Sequence, residues 1–248
     1  MSSPGEWFYS LPPVSKTYGT LCFLTTIAFT LHLVSPAWLY LDFALVTKNF
    51  QIWRLLTNFF FLGSFSIPFG VRLMMIARYG VQLEQGPFKD RTADFLWMMI
   101  VSVISFLVLS LTVPFFKSFF LGPSLVFMLL YVWSREFPTS TVSIMGLVNL
   151  QGFWLPWAML LVNTIFGMPI MSDLLGIIVG HVYYFLTVLH PRAGGQEYLK
   201  TPTWVRKLAT KWSVAGPVAF SPTPTPQAAA TAAGARPVFT GRSYRLNQ

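Results

Sequence analysis

The sequence predicts an all-α polytopic membrane protein, with a six-span helical bundle over residues 1–190 and a soluble, basic tail over 191–248. Two observations support this fold class. Hydrophobic residues make up 54% of the chain and charged residues only 10%, whereas soluble domains carry about a quarter charged residues. The charges also leave long uncharged stretches between them, and a helix needs about 20 apolar residues to cross a bilayer.

The first three spans follow from these uncharged stretches. Residues 17–34 form the first, which begins after Lys16 and is followed by a Ser-Pro pair. Residues 55–78 form the second span. Before its last residue, Arg72 is its only charged side chain, and Arg72 must therefore reach the interface or face the protein interior. Residues 95–116 are uncharged and rich in leucine and β-branched residues. They form the third span.

The second half of the bundle needs three more spans. Residues 118–134 lie between two basic residues and are short for a crossing, so this helix stands upright or lies in thinned membrane. The following uncharged stretch is too long for one helix. The prolines at 138 and 169 limit it to a fifth span at 142–166, and residues 174–190 form the sixth.

The distribution of Lys and Arg sets the orientation. An even number of spans puts both termini on one side, and most bases, including those of the tail, lie there. The opposite side keeps only Lys48, Arg54 and Lys117. Basic loops stay in the cytosol, so both termini are predicted to be cytosolic. Much of the net charge of +9 lies in the tail beside an anionic membrane leaflet, and nucleic acid is therefore not a predicted partner.

The tail divides into a linker and a terminal peptide. Residues 221–235 are Pro-Thr repeats followed by an alanine-rich run, which cannot bury enough surface to offset the entropy of ordering and is predicted to be disordered. Apolar and aromatic residues return at 238–246. A tether that ends in such a peptide usually presents it to a partner, although ordinary terminal residues are an equal alternative from the pattern alone.

Two local motifs lie in the membrane region. Trp53-Arg54 precedes the second span, where the pair suits headgroup depth; it is an interfacial anchor or a contact for lipid phosphates and carbonyl groups. Gly176 and Gly180 form a small-xxx-small face in the sixth span, which predicts close helix packing.

Ser124 and His181, on different predicted spans, raise the possibility of an intramembrane serine protease, because such a pair is the catalytic dyad of rhomboids. The rhomboid nucleophile lies in Gly-x-Ser-Gly, and here Leu125 follows the serine. We therefore predict no catalytic residue and assign His181 to a buried hydrogen bond between helices. The only cysteine is Cys22, and no metal site, disulfide or cofactor is predicted.

Several features occur together in one known family. They are Pro12-Pro-Val-Ser-Lys16, Trp53-Arg54, Tyr131-Val-Trp-Ser-Arg135 and the run from Gly176 to Phe185. In this combination the sequence resembles the Derlins over about residues 1–205, and its motif residues are close to those of plant members.

The resemblance implies a catalytically inactive, rhomboid-like protein of the endoplasmic reticulum (ER) membrane with six spans and cytosolic termini. It also implies a role in ER-associated degradation, with misfolded clients, a ubiquitin-ligase complex and other Derlins as partners. Trp53 and Arg54 carry over as the family motif that contacts lipid or client, and Gly176 and Gly180 carry over as its glycine motif.

The terminal peptide resembles the sequence with which some Derlins recruit a hexameric AAA ATPase. That pattern reads Phe-x-Gly-x-Gly-x-x-Leu, and Phe239, Gly241 and Leu246 match it, while Ser243 replaces the second glycine. Phe and Leu fill apolar pockets, and glycine lets the backbone lie close to the partner.

These features together predict a non-enzymatic factor that returns misfolded proteins to the cytosol. Arg72 lines a hydrated path for them or, equally, forms a structural ion pair inside the bundle, since arginine facing lipid is costly. The alternatives are a rhomboid-type protease and a transporter or channel. The sequence shows no inverted repeat of the kind that many transporters have.

Overall fold

The computed structural model describes residues 4–116, 118–144, 146 and 148–215. The predicted linker and the peptide residues Phe239, Gly241 and Leu246 lie outside the described residues. The predicted helical class is confirmed, because helices make up most of the described chain. The α-helices are α1 Pro4–Ser10, α2 Pro13–Thr30, α3 Pro36–Leu39, α4 Phe43–Lys48, α5 Arg54–Thr57, α6 Ile67–Met75, α7 Val81–Gln85, α8 Thr92–Thr112, α9 Gly122–Glu136, α10 Leu155–Ile165, α11 Ile170–Tyr184, α12 His190–Arg192 and α13 Thr203–Ala215.

Two of these helices are extended by a wider π-helical turn without a break in the chain. The turn Ile76–Gly80 joins α6 to α7, and the turn Phe185–Leu189 joins α11 to α12. Within the described ranges, two continuous helices are long and apolar enough to cross a membrane: Thr92–Thr112 and Ile170–Arg192. The six-span count stays a prediction.

The helix expected over 55–78 is wrong in its first half. After the single turn of α5 the chain leaves the helical conformation at residues 58–66, and α6 begins only at Ile67. Gly63 adopts a positive φ of 120°, which a right-handed helix does not contain. Pro68 suits a helix start, because it lacks the backbone N–H that would bond to a preceding turn. The helix then continues to Gln85, beyond the expected end.

The helix expected over 142–166 is also wrong in its first half. Residues Thr141–Ile144 (β1) and Val148–Gln151 (β2) form an antiparallel hairpin, with Val142 opposite Leu150. Gly146 lies in the turn with a φ of 74°. Because these residues alternate and are partly β-branched, they suit a strand as well as a helix. The helix α10 covers only Leu155–Ile165.

The other boundaries differ from prediction by a few residues. The helix α2 ends at Thr30 rather than 34, and His32 follows with a φ of 57°. The helix α8 ends at Thr112 because Pro114 disfavours helical geometry in the residue before it. The fourth helix begins at Gly122 rather than 118, and the sixth helical stretch begins at Ile170 rather than 174.

The helix α9 forms the centre of the molecule. Nearly every residue from Gly122 to Ser134 is buried, including Phe127, Met128 and Tyr131. The helix α11 packs along its length, with Ser124 beside Gly176 and Tyr131 beside Gly180. Both contacts advance in the same direction along the two chains, so α9 and α11 run parallel.

Candidate functional site

Arg54 of the Trp-Arg motif is buried, and its Nε and Nη1 atoms donate within the protein. Its guanidinium group donates to the carbonyl oxygens of Ala37 at 2.7 Å and Tyr40 at 2.9 Å, and to Gln51 Oε1 at 2.6 Å. It also lies over the ring of Tyr40, with 4.8 Å from Cζ to the ring centroid. Arg54 therefore fastens the α3 segment to α5. Trp53 is 46% exposed, so only this member of the motif presents a large free surface.

The glycines of the predicted packing motif lie against α9. A Cβ atom on Gly176 would come within 2.5 Å of the Ser124 carbonyl oxygen and 2.6 Å of Phe127 Cβ. A Cβ atom on Gly180 would come within 2.9 Å of the Tyr131 ring. Such distances are well inside van der Waals contact, so the two helices approach closely only because these positions lack side chains.

A third close approach was not found from the sequence. A Cβ atom on Gly122, at the start of α9, would lie 2.7 Å from the Phe59 carbonyl oxygen and 2.9 Å from that of Phe61. Gly122 thus allows the irregular segment 58–66 to pack directly against the central helix. In the sequence, only its place before a proline marks this glycine, and a glycine before a proline equally suits an ordinary helix start.

Ser124 and His181 do not form a dyad. Ser124 is fully buried, and its Oγ has no hydrogen-bond partner among the described residues. The His181 ring instead pairs with Tyr131, with 2.7 Å between Nδ1 and the phenol oxygen, about two turns along α9 from Ser124. The bond between helices expected for His181 is present. The expectation that the residue is buried is wrong, because its position on α11 is exposed.

Arg72 belongs to a polar cluster between α6, α10 and α11. It is buried and donates through Nη1 to the Leu62 carbonyl oxygen at 2.7 Å. Asp173, at the start of α11, is also buried and accepts from Asn163 Nδ2 at 2.8 Å. The charge of Asp173 acts on Arg72, although the two side chains do not come within 4 Å. Arg72 is thus a buried donor near an opposite charge, without a closed ion pair.

Asn163 and Asp173 were not predicted as members of this site. Asp173 directly precedes the predicted sixth span, and Asn163 is one uncharged residue within the predicted fifth. A small void of about 20 Å³ borders Asn163 and lies between Ile67, Val71 and Phe166. Its size is enough for one water molecule.

The ends of α2, α7 and α9 are joined by a second polar group that sequence reasoning missed. Glu84 accepts from the backbone N–H groups of Val14 at 3.0 Å and Ser15 at 2.9 Å, and from the Ser15 hydroxyl at 2.8 Å. A carboxylate in this position satisfies free N–H groups at a helix start and complements its dipole. Two residues earlier, Gln82 accepts from Trp133 Nε1 at 2.7 Å.

No metal centre is found in the part of the chain that the structure describes, where no three His, Cys, Asp or Glu residues come together. The candidate site consists of a closely packed glycine seam between α9 and α11 and, beside it, a polar cluster facing the short helix α10. These features define a helical membrane-type protein with buried charge.

Comparison with known proteins identifies the family. The chain matches the model of the Der1-like family over residues 11–203. It is 65% identical to Derlin-1 of Arabidopsis thaliana over 219 residues, which cover 88% of this chain and 82% of the relative. It is 59% identical to Derlin-1.1 of Zea mays over 248 residues and the full length of both, and 36% identical to Derlin-2.1 of Arabidopsis thaliana over 82% of this chain and 86% of the relative. The chain therefore belongs to the Der1-like family, and the resemblance to Derlins is confirmed.

Proposed function

We propose that this chain is a non-enzymatic component of ER-associated degradation, set in the ER membrane by six spans with both termini in the cytosol. Its family and its relatives named Derlin support the proposal. The structural observation behind the non-enzymatic part is the separation of Ser124 from His181. A serine hydroxyl without an adjacent base is a weak nucleophile.

The polar cluster supports a role in moving misfolded proteins towards the cytosol. Arg72, Asn163 and Asp173 place polar groups where α6 meets α10, and the packing between these two helices leaves a small void. The helix α10 has 11 residues and a length of about 16 Å, against a hydrocarbon core of about 30 Å. A client chain entering beside α10 would cross thinner membrane and meet polar side chains.

The non-enzymatic claim is tested by Ser124→Ala. In cells that lack their own Derlins, this variant is expected to restore the degradation of a misfolded lumenal protein as fully as the wild type does. The Ser124 Oγ forms no hydrogen bond, so its loss is expected to leave the free energy of unfolding within about 0.5 kcal/mol. The measurement is the client half-life together with the amount of the variant. A stabilised client at wild-type abundance of the variant would overturn the non-enzymatic proposal.

The proposed partners are misfolded clients, a ubiquitin-ligase complex, other Derlins and a hexameric AAA ATPase. The ATPase would bind the terminal peptide, whose Phe239, Gly241 and Leu246 follow the recruitment pattern. The described chain ends in α13 on the same side as the ends of α9 and α11. A tail that continues from there would bring the ATPase to the side on which clients emerge.

The tail proposal predicts opposite effects for two substitutions in the peptide. Phe239→Ala is expected to weaken ATPase binding about tenfold or more, because a buried phenylalanine contributes about 1.5–3 kcal/mol. Ser243→Gly, which completes the pattern, is expected to strengthen binding. Both are measured by titrating the purified ATPase against the full-length protein, with Thr240→Ala at a free position of the pattern as the control. Unchanged binding after deletion of 239–246 would contradict the proposal.

A further inference from the structure

A cavity of about 540 Å³ opens where α8 begins and where α9 and α11 end. The chain after α12 forms one wall and is held in place: the Thr201 hydroxyl donates to Asp94, and Val205 and Ala209 of α13 are buried. The Trp204 ring contacts that of Trp97 edge to face, with 6.2 Å between centroids. These contacts make the cavity part of the folded domain.

The cavity is lined by more basic than acidic side chains. Two of its bases are paired locally, since Arg91 pairs with Asp94 at 2.6 Å and Lys200 with Glu197 at 3.6 Å. Arg192 acts electrostatically on Glu136. Arg206 also lines the cavity, and neither it nor Arg192 comes within 4 Å of an acidic group in the described chain. Four basic and three acidic side chains line the cavity, which leaves a net charge of +1, and the Arg192 and Arg206 guanidinium groups form no close ion pair there.

The surroundings of the cavity are those of a membrane surface. It lies at the ends of the two helices that are long and apolar enough to cross a bilayer. The chain segments that contribute its lining also carry exposed large apolar side chains, and they are Phe185, Leu189, Tyr198, Trp204 and Leu208. Aromatic residues together with bases at the end of a span are typical of headgroup depth, and membrane-proximal bases attract anionic lipids.

We propose that this cavity binds the phosphate group of a phospholipid headgroup, with Arg192 and Arg206 as the bases that hold it. Guanidinium groups suit phosphate because they donate two parallel hydrogen bonds to its oxygens. Free phosphate shares this chemistry, but the exposed apolar residues on the same chain segments offer a surface to acyl chains, which favours the lipid. An acidic peptide would not use that apolar surface. The inference rests on the membrane placement proposed above and not on the role in degradation.

The test titrates short-chain phosphatidic acid against the detergent-solubilised full-length protein and counts bound lipid by native mass spectrometry. The double variant Arg192→Gln, Arg206→Gln is expected to bind at least about tenfold more weakly, because each lost charged hydrogen bond reduces affinity by that order. The control is Lys207→Gln, Lys211→Gln, which removes the same charge from exposed positions that do not line the cavity. It is expected to change affinity less than about twofold.

Competition experiments distinguish a lipid phosphate from free phosphate and from an acidic peptide as the ligand of the cavity. Inorganic phosphate and a soluble acidic peptide are each expected to displace the lipid poorly. The proposal would be overturned if the two double variants lost lipid affinity equally or if Arg192→Gln, Arg206→Gln lost none. Efficient displacement of the lipid by either competitor would also overturn it. Arg206→Gln alone, at an exposed position, is expected to lose part of the binding with unchanged thermal unfolding, and wild-type binding by this variant would also overturn it. Client degradation is not measured, so failure here leaves the proposed function untouched.

Discussion

Gly176→Ala is expected to destabilise the protein by about 1–3 kcal/mol, the usual range for forcing an extra methyl group into a packed interior. The added Cβ would lie 2.5 Å from a backbone oxygen of α9 and 2.6 Å from Phe127 Cβ. Neither atom is the flexible end of a side chain, so the helices must move apart. We expect a lower midpoint of thermal unfolding in detergent and a smaller folded fraction after size-exclusion chromatography.

The matched control for this substitution is Gly70→Ala. Gly70 lies within α6, and an added Cβ there meets nothing within 4 Å. Because alanine favours a helix over glycine by about 1 kcal/mol, the control is expected to be neutral or slightly stabilising. Equal midpoints for the two variants would show that the seam between α9 and α11 tolerates a side chain, contrary to the distances.

Arg72→Leu is expected to reduce both stability and client degradation. It leaves the Leu62 carbonyl oxygen in the interior without its donor, which costs about 1–3 kcal/mol, and it removes the positive charge near buried Asp173. The irregular segment 58–66 then loses its tie to α6. The measurements are the thermal midpoint of the purified variant and the client half-life in cells, corrected for the amount of the variant.

The substitution Asp173→Asn distinguishes a role of Asp173 in the proposed client path from a role in folding. Asparagine can still accept from Asn163, so the fold is expected to persist, while the charge facing the path is lost. We expect client half-life to lengthen at unchanged abundance of the variant. The control is Asp90→Asn, which makes the same charge change at an exposed position whose φ of 60° asparagine tolerates. If the client is degraded normally in cells with full abundance of the Asp173→Asn variant, the polar cluster has only a structural role.

Long uncharged runs made the apolar helices predictable from sequence. The stretches around Thr92–Thr112 and Ile170–Arg192 were located to within a few residues, because hydropathy over such a length suits only a helix. The same criterion failed at residues 58–66 and 141–151. Apolar residues in a loop or a strand contribute the same hydropathy as in a helix, and only Gly63, Pro68 and the β-branched alternation of β1 marked the difference.

The partners of the polar residues depend on contacts that are distant in sequence. Trp53-Arg54 was recognised as a motif, but the carbonyl oxygens that Arg54 binds lie in α3 and beyond its end. Nothing near Glu84 in the sequence indicates that it caps α2, some 70 residues earlier. The cost of charge in lipid left Arg72 two positions, the interface or the protein interior, and only the structure shows that it is buried. Its neighbour Asp173 lies far from it in sequence and is brought near by the packing of the helices.

The central claim is that clients pass the polar cluster between α6 and α10. The most direct measurement places a photoreactive amino acid at position 163 in α10 and, as control, at position 108 on the exposed face of α8. Crosslinking to a misfolded lumenal protein is then compared before and after the extraction ATPase is inhibited. We expect crosslinks at position 163 that increase when extraction stalls, and few at position 108. Equal crosslinking at both positions, or none at position 163 while clients accumulate, would contradict the claim.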